Sequence, residues 1–180
     1  MNRVALFVDD EKNVLNSLRR ALHTEPYEKR FAQSPDEAFD IIEEEPIDLI
    51  VSDHIMPGMD GLTFLKHVRK MHPDIVRIIL TGQADLHLAM QAINEGEVYR
   101  FLTKPWNDLE LRITLSQVFD FIDLLKERNT LMNTVRQQQA ILDELESEYP
   151  GIVNVSRDEN GRIVVDEDPV DLAKYVGKNQ

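Results

Sequence analysis

The sequence predicts an α/β fold in which helices cover both faces of a parallel β-sheet. Strand-like and helix-like segments alternate five times within the first 120 residues. Three of the strand-like segments are almost continuously apolar, which is typical of strands buried on both faces. Alternation of this kind favours parallel strands joined by right-handed helical crossovers.

The predicted strands are short and rich in β-branched and aromatic residues. They are residues 3–8, 27–32, 47–52, 75–81 and 98–104. The second of them, "YEKRFA", carries several charged residues, so we expect it at an edge of the sheet.

The predicted helices show apolar residues at helical spacing or carry start and stop signals. The periodic residues are Val14, Leu18, Ala21 and Leu22, then Leu62, Leu65 and Val68, then Leu86, Ala89, Met90 and Ile93. The second helix is expected to begin with Ser34 as its cap, Pro35 at its first position and Glu37 closing a capping box. Pro73 and Gly96 should end the third and fourth helices.

Composition narrows the class of protein. The 180 residues are 42% hydrophobic, enough for one ordinary domain with an appendage. The absence of cysteine excludes disulfides, thiolate metal sites and a thiol nucleophile. No apolar run approaches membrane-spanning length and no signal peptide is recognisable, so we expect a soluble cytoplasmic protein with no membrane partner. A net charge of -13 disfavours binding to nucleic acid, which is itself polyanionic.

Polar side chains follow four of the five predicted strands. Asp9 and Asp10 come after the first strand, Asp53 after the third, Thr81 closes the fourth, and Lys104 closes the fifth. Ligands of open parallel sheets bind at the carboxyl ends of the strands. We therefore expect these side chains to meet at one edge of the sheet.

A divalent cation is the expected companion of these acids. Neighbouring carboxylates repel one another, and burial raises their pKa values unless a cation joins them. A site with only oxygen ligands favours a hard ion such as Mg²⁺. The alternative is that the aspartates are ordinary solvated loop acids. Their grouping with a threonine and a lysine at successive strand ends argues against that alternative.

Four motifs together resemble the receiver domain of two-component response regulators over roughly residues 3–120. They are "VDDE", "DHIMPGMDG", "LTG" and "FLTKP", after the first, third, fourth and fifth strands. The resemblance implies a flavodoxin-like doubly wound fold with strand order 2-1-3-4-5. It also implies that an aspartate accepts a phosphoryl group from a histidine kinase or a phosphotransfer protein.

The resemblance assigns a metal site to this chain. Asp10 would bind Mg²⁺ directly, and Asp9 would hold it largely through water. Asp53 and the backbone carbonyl of Ile55 would complete the protein ligands.

The resemblance also assigns a reaction and a switch. Asp53 would be the phosphoacceptor, and Lys104 would pair with the phosphate. Thr81 would hydrogen-bond a phosphoryl oxygen in the active state, and Phe101 would be the switch aromatic that follows it. No catalysis is implied beyond self-phosphorylation and autodephosphorylation.

The last helix is predicted to start near Asn107 and to continue to about Tyr149, because this stretch lacks glycine and proline. Two heptad positions run through it, one with Phe121, Arg128, Val135, Leu142 and Tyr149, the other with Leu124, Leu131, Gln138 and Leu145. We expect a parallel two-stranded coiled coil and hence a homodimer. The alternative is a long amphipathic helix folded back on its own domain.

Residues 150–180 are predicted to form a small docking element. Two β-rich runs flank Asn160-Gly161, which is a strong hairpin signal, and a short helix should follow Asp168-Pro169. The predicted organisation is a receiver at 1–120, a coiled-coil extension at 121–149 and this element at 150–180.

The leading functional hypothesis is a phosphorylation-controlled response regulator that signals by dimerisation and protein contact to an unknown downstream protein, without a DNA-binding domain. A constitutive coiled-coil scaffold is a second hypothesis. A phosphoaspartyl hydrolase is a third, disfavoured because such enzymes use an acid where this chain has Ile55.

Overall fold

A five-stranded parallel sheet forms the centre of the protein. The computed structural model describes residues 3–82 and 85–149. The strands are β1 (Val4–Val8), β2 (Glu28–Ala32), β3 (Leu49–Asp53), β4 (Val76–Thr81) and β5 (Arg100–Thr103). Their order is β2-β1-β3-β4-β5, and every neighbouring pair is parallel. The predicted fold and strand order are confirmed, while the predicted hairpin at 150–180 lies outside the described residues.

Five helices alternate with these strands. They are α1 (Lys12–Ala21), α2 (Pro35–Glu44), α3 (Gly61–Met71), α4 (Leu86–Asn94) and α5 (Asp108–Glu148). Among the described residues, 3–82 and 85–149, no helix is both long and apolar enough to cross a membrane.

The sheet divides the core into two layers because side chains alternate along each strand. Phe7 and Val51 face the layer that α1 and α5 cover. Leu6 and Ile50, their neighbours in sequence, face the layer covered by α2, α3 and α4. Both faces are therefore buried, which explains the continuous apolar runs of β1 and β3.

Two sequence predictions are corrected in detail. Ser34 accepts a hydrogen bond from the backbone N–H of Glu37 as expected, but the Glu37 carboxylate accepts from the N–H of Gln33 rather than from that of Ser34. Met90, assigned to the apolar face of α4, is 54% exposed. Ala89 and Ala92 are the residues of α4 that are buried, because their smaller side chains lie against the sheet layer.

The other helix signals and the predicted edge strand agree with the structure. The third helix ends at Met71, two residues before Pro73. Gly96 adopts a φ of 70°, a conformation that favours glycine, just after α4. The polar strand β2 lies at an edge of the sheet. The fifth strand is shorter than predicted, four residues instead of seven.

Helix α5 is continuous from Asp108 to Glu148. Asn107 caps it, because its side-chain oxygen accepts hydrogen bonds from the N–H groups of Leu109 and Glu110. The buried residues of α5 lie between Leu111 and Ile122. One compact unit of the chain ends at Lys126 and a second begins at Glu127.

Gly61 occupies a position that no side chain can share. A Cβ built there would lie 1.8 Å from the backbone oxygen of Asp53, far inside van der Waals contact. Gly61→Ala is therefore expected to lower the free energy of unfolding by at least about 2 kcal/mol. Urea denaturation measures the change. The control is Gly82→Ala, because a Cβ there meets nothing within 4 Å; equal losses in both variants would contradict the prediction.

Candidate functional site

Three carboxylates meet at the carboxyl ends of β1 and β3. Asp9 and Asp10 follow β1 directly, and Asp53 is the last residue of β3. The two strands are neighbours in the sheet, with Val8 opposite Ser52. One side-chain oxygen of each acid lies within 4.8 Å of those of the other two. The strand order alone thus accounts for the cluster.

The three acids differ in their exposure to solvent. Asp9 is fully buried, Asp53 is 8% exposed, and Asp10 is exposed. The carboxylate of Asp9 accepts a hydrogen bond from the backbone N–H of Glu11 at 2.9 Å. Its own N–H donates to the carbonyl of Ala32 at the end of β2. The backbone of Asp9 is therefore anchored to β2 and its carboxylate to Glu11, the residue before α1. The side chain of Asp10, in contrast, is exposed to solvent.

Lys104 joins the cluster from β5. Its Nζ lies 2.6 Å from Oδ2 of Asp9 and 2.5 Å from Oδ1 of Asp53. Its backbone N–H donates to the carbonyl of Thr81, which extends the β4–β5 ladder by one residue. The peptide bond to Pro105 is cis. One ammonium thus bridges two carboxylates that are 44 residues apart in the chain.

Burial and neighbouring charges shift the pKa values of Asp9 and Lys104 in opposite directions. Burial raises the pKa of Asp9 above its ordinary value, although the hydrogen bond and charge of Lys104 work against that increase. Burial alone would lower the pKa of Lys104, but its hydrogen bonds to Asp53 and Asp9 outweigh it, so the pKa of the lysine is raised. The lysine therefore remains cationic, and the cluster keeps a deficit of positive charge.

The residues assigned to a switch lie on β4 and β5. Thr81 is almost fully buried, and its hydroxyl donates to the carbonyl of Gly82 at 3.2 Å. Phe101 lies on β5 opposite Ile79 and packs, partly buried, against the layer that includes α4. Their movement on activation stays a prediction.

Two residues without a predicted role shape the loop after β3. His54 donates its backbone N–H to the carbonyl of Leu80, and its own carbonyl accepts from the N–H of Gly61 at 2.8 Å. The Nδ1 atom of His54 is buried and has no hydrogen-bond partner among the described residues. Sequence periodicity could not identify either residue, because both act through backbone contacts.

The cluster fits a hard divalent cation. Its donors are carboxylate oxygens from three residues, two of them buried, and carboxylates are the ligands that Mg²⁺ prefers. The carbonyl of Ile55 remains a predicted fourth ligand. The side chain of Ile55 is 67% exposed and places no acid or amide beside Asp53.

Comparison with known families places this cluster in a defined context. Residues 5–116 match the family model described as the response regulator receiver domain. The chain belongs to this family. The match includes all three acids, Thr81 and Lys104.

Relatives and solved structures agree with this membership. The hydrogenase transcriptional regulatory protein HoxA of Cupriavidus necator is 33% identical over 143 residues, which cover 79% of this chain and 30% of HoxA. The signal receiver domain of an HD domain-containing protein from Pseudomonas fluorescens Pf-5 is 38% identical, with a TM-score of 0.66 and coverage of 71% of this chain and 93% of that one. The beryllofluoride-activated NtrC4 receiver domain dimer is 34% identical, with a TM-score of 0.61 and coverage of 66% and 98%. The chain spans about a third of the length of the first curated relatives it matches.

Replacing Asp9 by asparagine is expected to stabilise the metal-free protein at neutral pH, because it removes a buried charge from a cluster of three mutually repelling carboxylates. Burial raises the pKa of Asp9, so folding disfavours its charged form. This cost is present above the folded-state pKa and vanishes below the ordinary value of 3.8, where the acid is protonated in both states. Urea unfolding in the presence of a chelator, at neutral and at acid pH, measures the free energy of unfolding where the cost is present and where it has vanished.

The matched control is Asp10→Asn, which removes the same charge from an exposed position. It should change stability by less than Asp9→Asn does. An equal gain in both variants would show that burial of Asp9 is not the cause.

Proposed function

We propose that this protein is a response regulator in which Asp53 accepts a phosphoryl group from a histidine kinase or a phosphotransfer protein. The observation that carries the proposal is the contact of Lys104 with both Asp9 and Asp53 in a nearly buried acidic cluster. Membership of the receiver family and the exposed Asp10 support it. The protein acts in the cytoplasm and catalyses only its own phosphorylation and dephosphorylation.

Asp53 and Lys104 would have different roles in the transfer. A carboxylate oxygen of Asp53 attacks phosphorus, the new O–P bond forms as the donor's P–N bond breaks, and the electron pair returns to the donor imidazole. The ammonium of Lys104, already 2.5 Å from Asp53, neutralises charge on the transferred oxygens. The three acids would hold Mg²⁺, which would supply the remaining positive charge for a reaction that depends mainly on electrostatic stabilisation.

The phosphorylated state would be read through Thr81 and Phe101. The Thr81 hydroxyl has a replaceable partner, the neighbouring carbonyl of Gly82, so it can turn towards a phosphoryl oxygen. Phe101 lies on the adjacent strand and is only partly buried, which leaves it room to move inward. The change would then reach the face formed by α4, β5 and α5.

We propose that the output is protein contact through a homodimer formed by residues 121–149. The support is a row of exposed apolar side chains at the two heptad positions. These include Leu124, Leu131, Val135, Leu142, Leu145 and Tyr149. Exposed leucines at this spacing are typical of a helix that pairs with another helix. An NtrC4 receiver, a structural neighbour of this chain, is itself described as a dimer.

Phosphorylation of Asp53 is tested by mass. Incubation with a small phosphodonor and Mg²⁺ should add one phosphoryl group to the chain, and Asp53→Asn should abolish the addition. Asp9→Asn and Asp10→Asn should each slow it by weakening the metal site. Asp36→Asn, an exposed acid on α2, is the control and should label normally. Unchanged labelling of Asp53→Asn would refute the proposal.

The homodimer is tested by sedimentation. Leu131→Glu places a charge in the apolar row and should raise the dimer Kd at least about tenfold, since one buried unpaired charge easily costs 1.4 kcal/mol. The control is Asn133→Glu, which adds the same charge two residues away at a heptad position outside the row. If the wild type sediments as a monomer, or if both variants dissociate equally, the proposed interface is wrong.

A further inference from the structure

The apolar row on α5 contains two polar residues, and their positions are informative. Arg128 and Gln138 occupy the two heptad positions at which leucine, valine or an aromatic residue otherwise stands. They lie five residues before and five residues after Asn133. Leu131 and Val135, two residues on either side of the same point, are 60% and 59% exposed. The row is therefore symmetric about Asn133 in its pattern of polar and apolar residues.

A parallel pair of helices, which the heptad alone predicts, places each residue opposite its own copy. Arg128 would then face the partner's Arg128 within the seam, and two like charges would be held together. The ends of the helices would also lie side by side. Each carries four acids and no cation between residues 143 and 148. Both features oppose the parallel arrangement.

An antiparallel pair centred on Asn133 removes the first conflict. Arg128 then faces the partner's Gln138, whose amide oxygen can accept a hydrogen bond from the guanidinium. Every other seam residue from 121 to 145 faces an apolar one. The apolar layers pair Phe121 with Leu145, Leu124 with Leu142, and Leu131 with Val135.

Neighbouring antiparallel registers lack this match. A shift by one heptad in one direction places Arg128 opposite the partner's Leu131, and the opposite shift places it opposite the partner's Leu145. Gln138 would likewise face the partner's Phe121 or Val135. Each shift buries polar groups against hydrocarbon, which is costly. The two polar residues thus select one register, a role for which single polar seam residues are known.

The antiparallel register also reduces the repulsion between the two acidic helix ends. In this register the acidic end of one helix lies beside residues 118–123 of the other chain. The acids there, Asp120 and Asp123, are paired with Arg3 at 3.1 and 2.6 Å. The acidic end therefore meets partly neutralised charge instead of its own copy.

We propose that the apolar row of α5 binds a second copy of this chain in antiparallel orientation, with the two-fold axis passing between the helices at the level of Asn133. This proposal rests on the homodimer proposed above and specifies its geometry. The end of each α5 then lies against Phe121 of the other receiver. Phe121 stacks on Tyr99, with ring centroids 4.8 Å apart, next to strand β5. Each receiver would thereby contact the end of its partner's α5 at the face that phosphorylation is proposed to change.

Engineered cysteines distinguish the orientations, because the 180 residues include none. Differently tagged Leu124→Cys and Leu142→Cys chains are mixed and mildly oxidised. The antiparallel register predicts a disulfide between the two variants and none within either alone. The parallel arrangement predicts the reverse. Asn133→Cys lies outside the row and should cross-link in neither case.

A charge substitution provides a second readout that needs no cross-link. Gln138→Glu would pair with the partner's Arg128 in the antiparallel dimer and lower its Kd, about tenfold for two symmetric pairs. In a parallel dimer the two introduced glutamates would face each other and raise the Kd. The matched control, Gln137→Glu, adds the same charge beside the row and should change the Kd little.

The outcomes separate the two proposals. Cross-linking of each cysteine variant with itself, or weaker association of Gln138→Glu, would overturn the antiparallel register while leaving the homodimer intact. A wild-type chain that sediments as a monomer would overturn the homodimer itself. A wild-type dimer that shows no cross-link in any mixture would remove the row from the interface and so overturn both.

Discussion

The structure depends on one electrostatic constraint, the bridging of two buried carboxylates by Lys104. Asp9 and Asp53 end adjacent strands, so the order of the sheet forces them together whatever their mutual repulsion. Their burial makes the repulsion strong, and a single ammonium cannot cancel the charge of three acids. The site is therefore prepared for further positive charge from a metal.

Much of this arrangement could be predicted from the sequence. The continuous apolar runs of β1 and β3 indicated a sheet buried on both faces, and the polar residues at the ends of four predicted strands indicated that acids and a lysine would meet at one edge. Met90 shows where such reasoning fails. Helical spacing assigned it to the buried face of α4, but the buried residues of that helix are Ala89 and Ala92, with Ile93 partly buried beside them. Periodicity reports hydrophobicity, whereas burial also depends on the volume available between helix and sheet.

The predictions that failed or could not be made concern contacts through the backbone. Glu37 was expected to complete a capping box, but its carboxylate reaches one residue farther back, to the N–H of Gln33. Nothing in the order of residues distinguishes these two donors. The residue types required of a receiver could likewise be recognised, yet the backbone hydrogen bond from His54 to Leu80 of β4 could not. Such contacts follow from the folded arrangement of strands and not from local pattern.

The close approach of Gly61 to Asp53 ties together two points in the chain that are eight residues apart. The segment between them leaves the sheet and returns to touch its own starting point, with the N–H of Gly61 bound to the carbonyl of His54. A loop closed by such a hydrogen bond has a fixed length. Side chains around it can vary while the number of residues cannot, so an insertion or deletion between positions 54 and 61 would displace the first turn of α3 together with Asp53. Length, more than identity, is the property that this loop must conserve.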